Sequence, residues 1–289
     1  LEENLQIIHD SVAYLKSKGK EVIYDAEHFF DGFVENPDYA LETCVTAWDA
    51  GADVVVLCDT NGGALPFQVE EVIRRVREAF PDMPLGLHAH NDSDTAVSST
   101  VAAVRLGVGH VQGTINGYGE RCGNANLCSI LPNLQLKMGC SFQKKVKLEK
   151  LTQLSRYVSE IANLTHREEM PYVGNSAFAH KGGIHVSAIH RNRRTYEHIP
   201  PEAVGNRQRV LVSDQAGQSN VLYKAREMGL DLDSRREEVR HIVQELKKLE
   251  HLGYQFEGAE GSFEVLVRKT IGDVKPFFTL LSARVTVDR

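Results

Sequence analysis

His88-Ala89-His90 sets two imidazoles two residues apart, directly after the apolar run Pro84-Leu85-Gly86-Leu87. Such a run reads as a buried strand, and residues two apart on a strand share a face. Both rings therefore aim the same way at the strand's carboxyl end. Neutral imidazole is the commonest protein ligand for a divalent metal. A bare His-x-His also fits a polar strand end that caps a loop, so the surrounding clusters matter. Asn116-Gly117-Tyr118-Gly119-Glu120-Arg121-Cys122-Gly123-Asn124 is a loop with glycines at 117, 119 and 123. Glycine lets a backbone turn tightly and approach a ligand closely. Asn124 offers a carbonyl oxygen to an oxygen-preferring metal. Glu120 and Arg121 read as an ion pair bracing that loop.

Asp25-Ala26-Glu27-His28-Phe29-Phe30-Asp31-Gly32 is dense in acid at another strand end. Asp25 and Glu27 share a face by the same alternation, and a carboxylate beside a metal can orient a substrate or relay a proton. A helix-capping acidic loop is the other reading. Thr60, after Cys58-Asp59, is a candidate hydroxyl donor to a substrate carboxylate, or a turn residue. Phe178-Ala179-His180-Lys181-Gly182-Gly183-Ile184-His185 is a further His/Gly cluster. Its histidine spacing of five suits neither a helix-borne metal pair nor a zinc finger. It reads as a surface loop or as the carrier of a proton-transfer group.

The elements that must hold these residues alternate along the first part of the chain. Strands are expected over 21–26, 52–58, 84–90 and 110–116. Helices lie between them, for example one opened by Asn36-Pro37-Asp38 and closed by Gly51. Helices that stop at Gly19 and Gly107 fit the same scheme, and Leu127–Lys137 begins another. Strands about thirty residues apart with helices between them imply right-handed βα units and a parallel sheet. Every polar cluster of this part lies at a strand's carboxyl end, where a (β/α)8 barrel builds its active site. An open doubly wound sheet is the structural alternative. Beyond residue 140, Leu148, Leu151, Leu154, Val158 and Ile161 mark a helix. Residues 166–200 read as irregular, 201–260 as mostly helical, Phe263–Val267 as a helix and Arg284–Val287 as the start of a strand.

The composition is that of an ordinary globular protein: 289 residues, 42% hydrophobic and 25% charged. A net charge of −6 gives no reason to expect a nucleic-acid or anionic-membrane partner. No apolar run approaches the roughly 20 residues of a membrane span. Cys44, Cys58, Cys122, Cys128 and Cys140 have no CxxC spacing, which suits reduced thiols and a cytoplasmic location.

Taken together, His88-Ala89-His90-Asn91-Asp92, Gly117–Asn124 and Gly182-Gly183-Ile184-His185 resemble the acyl-CoA-condensing branch of the pyruvate-carboxyltransferase-like TIM barrels, which holds the 2-isopropylmalate, homocitrate and citramalate synthases. Asp25–Gly32 and Tyr196–Asn206 resemble the citramalate branch most. The resemblance covers essentially the whole chain. It implies the C-terminal half of a TIM barrel over 1–140, then helical subdomains over 141–270 with an active-site loop at 176–200. The start of a C-terminal regulatory domain would occupy 271–289. The family's first-strand Asp-Arg-Glu-like signature does not occur here, so the chain is expected to begin after the fourth strand. The activity implied is condensation of acetyl-CoA with pyruvate to (R)-citramalate and CoA, a step towards isoleucine. Another 2-oxo acid is the nearest alternative. A metal-dependent acyl-CoA lyase and a non-catalytic metal-binding fragment are more distant ones. The resemblance assigns His88, His90 and Asn124 to a divalent metal, Mg2+ or Mn2+ with Zn2+ as a further option. It assigns Glu27 and Thr60 to the 2-oxo acid, and His185 with Glu27 and Tyr196 to proton transfer. A homodimer is implied, because this segment of the family reaches a partner's barrel.

Overall fold

The computed structural model describes residues 1–213, 215–274 and 278–287. The chain divides into two compact units. One is Leu1–Ala177 with Ala203–Asn206, and the other is Phe178–Glu202 with Arg207–Arg289.

The first unit alternates helix and strand: α1 (Glu2–Ser17), β1 (Ile23–Ala26), α2 (Phe29–Glu35), α3 (Pro37–Asp49), β2 (Val54–Asp59), α4 (Pro66–Ala79), β3 (Leu85–Ala89), α5 (Ala96–Arg105), β4 (His110–Gln112), α6 (Leu127–Pro132) and α7 (Leu151–Ile161). The four strands are parallel and adjacent in chain order, β1-β2-β3-β4. No later strand is inserted between earlier ones, so this is a run of consecutive barrel staves and not a doubly wound sheet. Apolar residues on alternate positions, Val55 and Leu57 of β2 with Leu85 and Leu87 of β3, pack outwards against Phe29, Phe30, Cys44, Val69, Ile73 and Val76 of the helices. α1 covers the β1 side through Ile8 and Val12 against Val22 and Ala47.

The inward positions run in a row, because parallel partners in register point to one face. Cys58 stands beside His88, and His88 beside Gln112. Gly86 sits one rung below His88. A Cβ there would lie 2.7 Å from Val56 Cγ2 and 3.2 Å from His110, so only glycine fits. The sheet is strongly curved. Gln112 Nε2 on β4 donates to Asp25 Oδ1 on β1 at 2.9 Å. In a flat sheet those two strands would be roughly 14 Å apart.

Local signals act as the sequence suggests at several ends. Asn36 Oδ1 accepts from Tyr39 N–H at the start of α3, and Gly51 and Gly107 follow their helices with positive φ. Elsewhere the structure departs from expectation. The helix begun at Leu127 holds α geometry only to Pro132 and continues as a π-helical stretch over Asn133–Lys137. Proline lacks the N–H that an α ladder needs, which accounts for the change. β4 ends at Gln112 and not at Asn116, which instead adopts φ 64° in the loop.

In the second unit, β5 (Ala179–His180) pairs in parallel with β6 (Arg209–Val210). The segment 166–200, expected to be irregular, contains α8 (Gly183–Arg191). Its buried Val186 and Ile189 sit three apart on one face, a helical signal that the preceding Gly182-Gly183 obscures. α9 (Gln218–Glu227), α10 (Arg236–His251) and α11 (Glu260–Thr270) follow, and pack around Val221, Leu232, Val239, Ile242, Leu246 and Phe263. The expected strand at Arg284–Val287 is absent, since residues 278–287 carry no regular element. Part of the 271–289 stretch, residues 275–277 and 288–289, lies outside the described residues.

Candidate active site at the sheet's carboxyl end

His88 and His90 leave the end of β3 on the concave face, with ring centres 5.2 Å apart. His88 Nδ1 lies 2.7 Å from Gln112 Oε1. His90 Nδ1 is buried and has no hydrogen-bond partner. Burial, then the neighbouring His88 and Arg121, holds the His90 imidazole below its ordinary pKa.

The glycine-rich loop is fastened beside these rings by backbone hydrogen bonds. Ala125 N–H donates to Ala89 O, and Asn91 N–H to Gly123 O, each at 2.9 Å. His90 and Asn124 form a single antiparallel bridge. Asn116, Gly117, Arg121 and Gly123 all have positive φ. A Cβ on Gly123 would lie 2.0 Å from Gly117 O, so glycine is obligatory there. The result is that the Asn124 side chain turns into the interior, where its Oδ1 is buried and unpartnered. Two orphaned polar atoms on bridged residues, with a second imidazole alongside, form a set whose chemistry suits a divalent cation. Among the described residues no group of three or more His, Cys, Asp or Glu side chains could hold a metal.

Arg121 forms the expected ion pair with Glu120, and has a closer partner in Asp92. Its Nε and Nη2 bind Asp92 Oδ1 and Oδ2 at 2.8 and 3.1 Å, and Nη2 also reaches Thr60 O at 2.7 Å. Glu120 is exposed and 3.8 Å away. The guanidinium holds the Asp92 carboxyl below its usual range. From the other side, Asn116 Nδ2 donates to Ser155 O and Ser159 Oγ of α7, and Ser155 Oγ is 2.8 Å from His166 Nε2.

The acidic cluster lies at the end of β1. Asp25 and Glu27 both act on Cys58, whose thiol is pushed up to about 12 by burial and by these two carboxylates. Asp25 is on the strand, while Glu27 stands in the turn beyond it. Thr60 Oγ1 accepts from His28 N–H at 2.8 Å. Its own hydroxyl hydrogen is therefore free to donate. Asp25, Glu27, Thr60, His88, His90 and Asn124 thus gather at the carboxyl ends of the staves.

His185 and Tyr196 belong to the second unit. His185 is in the first turn of α8 and exposed, and its ring centre is 4.3 Å from that of Tyr196. Beneath them lie His180, the other histidine of that His/Gly cluster, and an acid that the sequence reading missed, Glu197. His180 and Glu197 are buried, with His180 Nε2 3.4 Å from Glu197 Oε1 and Arg193 Nε 3.4 Å from Oε2. Burial lowers the His180 pKa. Gln112 and Asp92 were missed as well. The register of β3 against β4 would have revealed Gln112, which is the residue directly beside His88.

Comparison with known proteins agrees with this architecture. The HMGL-like family matches residues 1–158, and the homocitrate synthase post-HMGL domain-like family matches residues 172–253. The (R)-citramalate synthase of Geobacter sulfurreducens is 55% identical over 285 residues, 99% of this chain and 54% of its own. That of Aquifex aeolicus is 52% identical over 287 residues, again 99% and 54%. The 2-isopropylmalate synthase of Methanocaldococcus jannaschii is 32% identical over 94% of this chain and 51% of its own. The chain spans about half the length of these relatives. Among solved structures, the HMG-CoA lyase of Bacillus subtilis shares the fold with a TM-score of 0.51, at 24% identity, over 57% of each chain. The staves, the loop that closes over them and the match across residues 1–158 together place the chain in the HMGL-like family.

Proposed function

We propose that this chain carries half of the catalytic barrel of an acyltransferase that condenses acetyl-CoA with pyruvate to give (R)-citramalate and CoA. The observation that carries the reading is the pair of buried, unpartnered polar atoms His90 Nδ1 and Asn124 Oδ1 beside His88. The names and identities of the citramalate synthases above support the choice of reaction.

His88, His90 and Asn124 would hold a divalent cation, Mg2+ or Mn2+ with Zn2+ as a further option, since two donors are imidazoles and one is an amide oxygen. A cation there supplies Lewis acidity at the ketone of the 2-oxo acid. Thr60, its hydroxyl proton free, donates to the substrate carboxylate, and Glu27 lines the same mouth. His185 with Tyr196, together with Glu27, takes a proton from the acetyl methyl. The enolate carbon attacks the ketone carbon, the ketone oxygen takes up a proton to become the tertiary hydroxyl, and water then cleaves the thioester to a carboxylate and free CoA thiol. His185 and Tyr196 come from the second copy in a homodimer. The barrel part ends near residue 140, and the helical part beyond it presents the active-site segment 176–200. A cytoplasmic place in isoleucine biosynthesis follows from this reaction.

The test is thiol release by the full-length protein from acetyl-CoA with pyruvate, 2-oxoisovalerate or 2-oxoglutarate. CoA release fastest with pyruvate, abolished by chelator and restored by Mn2+, is expected. Faster turnover of a larger 2-oxo acid would move the assignment to 2-isopropylmalate or homocitrate synthesis. Cleavage of an acyl-CoA without condensation would move it to a lyase.

A further inference from the structure

Three side chains on three different staves form a continuous hydrogen-bonded line across the concave face. Asp25 on β1 accepts from Gln112 Nε2 on β4 at 2.9 Å, and Gln112 Oε1 faces His88 Nδ1 on β3 at 2.7 Å. We infer that Gln112, oriented by Asp25, is a positioning residue that fixes His88 as the Nδ1–H tautomer and thereby presents its Nε2 lone pair to a divalent cation. The inference rests on the metal-site reading above.

The argument follows from donor and acceptor inventories. An ionised carboxylate can only accept hydrogen bonds. Asp25 therefore selects which end of the Gln112 amide it meets, namely the NH2 end. The opposite amide orientation would put Oε1 against a carboxylate oxygen, two acceptors in contact. With NH2 committed to Asp25, the amide oxygen is what His88 meets. An amide oxygen needs a donor, so the hydrogen of neutral His88 sits on Nδ1. The remaining ring nitrogen, Nε2, keeps its lone pair. Which imidazole nitrogen binds a metal is set by the bond that the other one makes.

The geometry also explains why an amide stands between the carboxylate and the ring. Asp25 is on one edge strand and His88 is two strands away. Gln112 links the β1 carboxylate to the His88 ring, because curvature brings β4 over towards β1. The carboxylate polarises the amide, and the amide in turn supports the ring, so the negative charge acts on the ligand through one relay. His90 has no such partner on Nδ1. The two histidines are therefore not equivalent: the ring orientation of His88 is locked before any cation arrives, and that of His90 is completed by it.

The experiment uses the full-length protein, metal-free, with 15N-labelled histidine at pH 8. The His88 ring nitrogens should report the Nδ1–H tautomer, the form that free histidine disfavours. Gln112→Leu should return His88 to the Nε2–H form and weaken Mn2+ binding, read by the free-Mn2+ electron spin resonance signal, by about 10- to 100-fold. Gln112→Glu combined with Asp25→Asn rebuilds the line with the charge moved one place along, and should restore both readouts. An Nε2–H tautomer in the unmodified protein overturns the inference without any variant. So does a Gln112→Leu protein that keeps tautomer and Mn2+ affinity unchanged. Failure of the underlying reading looks different: the Nδ1–H tautomer would be present and sensitive to Gln112, yet the unmodified protein would not bind Mn2+.

Discussion

At the sheet end, His88, His90 and Asn124 hang from backbone that is itself hydrogen-bonded to neighbouring backbone, strand to strand and strand to loop. In the second unit, His185 and Tyr196 hang from a nine-residue helix and from the end of a 3-10 turn, Arg193–Thr195. They meet ring to ring over a buried His180–Glu197 pair. One cluster is positioned by register and the other by side-chain packing. Register fixes direction without side-chain help, whereas packed rings depend on every neighbour. A site that must hold an ion in fixed geometry gains from the first arrangement. A residue that must approach and leave a proton is served by the second.

The largest effect that tests this contrast is loss of the ion. His88→Ala and His90→Ala should each remove Mn2+ binding and turnover together, by 100-fold or more, with the fold retained by circular dichroism. Retention of full Mn2+ affinity in both would dissolve the first cluster. Next, His185→Ala should lower kcat by about 10²- to 10⁴-fold while 2-oxo-acid binding survives, since proton transfer and not binding is lost. Mixing His185→Ala with His90→Ala chains should recover part of the activity if the two clusters meet across a dimer. No recovery, with subunit exchange verified, would assign both clusters of a working site to one chain.

A smaller effect compares two glycines. Gly123→Ala places a methyl 2.0 Å from Gly117 O at φ 90° and should cost about 1–3 kcal/mol in urea unfolding, with weaker Mn2+ binding because Asn124 is displaced. Gly109→Ala meets nothing within 4 Å and should leave metal binding unchanged. If both alanines behave alike, the loop is not the rigid holder of Asn124.

The smallest effect is in the acid limb of stability. His90, His166 and His180 all have folded-state pKa values lowered chiefly by burial. The unfolded chain then binds more protons than the folded one. Their contribution is fully present above their ordinary value of about 6.5 and is lost as the pH falls through that value towards the lowered ones. Unfolding midpoints in urea should drop between pH 7 and pH 5, and His166→Gln, which keeps a partner for Ser155, should flatten part of that slope. An unchanged slope would mean that His166 titrates normally.

How far each cluster could be read from the sequence follows the same division. Strand alternation and thirty-residue spacing place His88, His90 and Thr60 at stave ends, and the glycines of 117–123 announce the loop. Those are local patterns. Asp92 as the closer partner of Arg121, and Gln112 as the partner of His88, need the pairing of distant segments, and no local pattern encodes it. Glu197 was invisible for a stronger reason. A single acid in the polar run Arg193-Arg194-Thr195-Tyr196-Glu197-His198 looks solvated, and only tertiary burial makes it otherwise. α8 was masked by the two glycines that open it.

The cysteines provide a native labelling scheme. Cys44, Cys58 and Cys128 are buried with thiols pushed up, the first two to about 12, and Cys140 is half-buried. Cys122 is exposed, two residues before Asn124. A thiol-directed fluorophore or spin label offered to the folded protein will find Cys122 first, because thiolate and access are both required. The chain thus arrives with a reporter attachment point on the one loop whose conformation decides where the amide oxygen points.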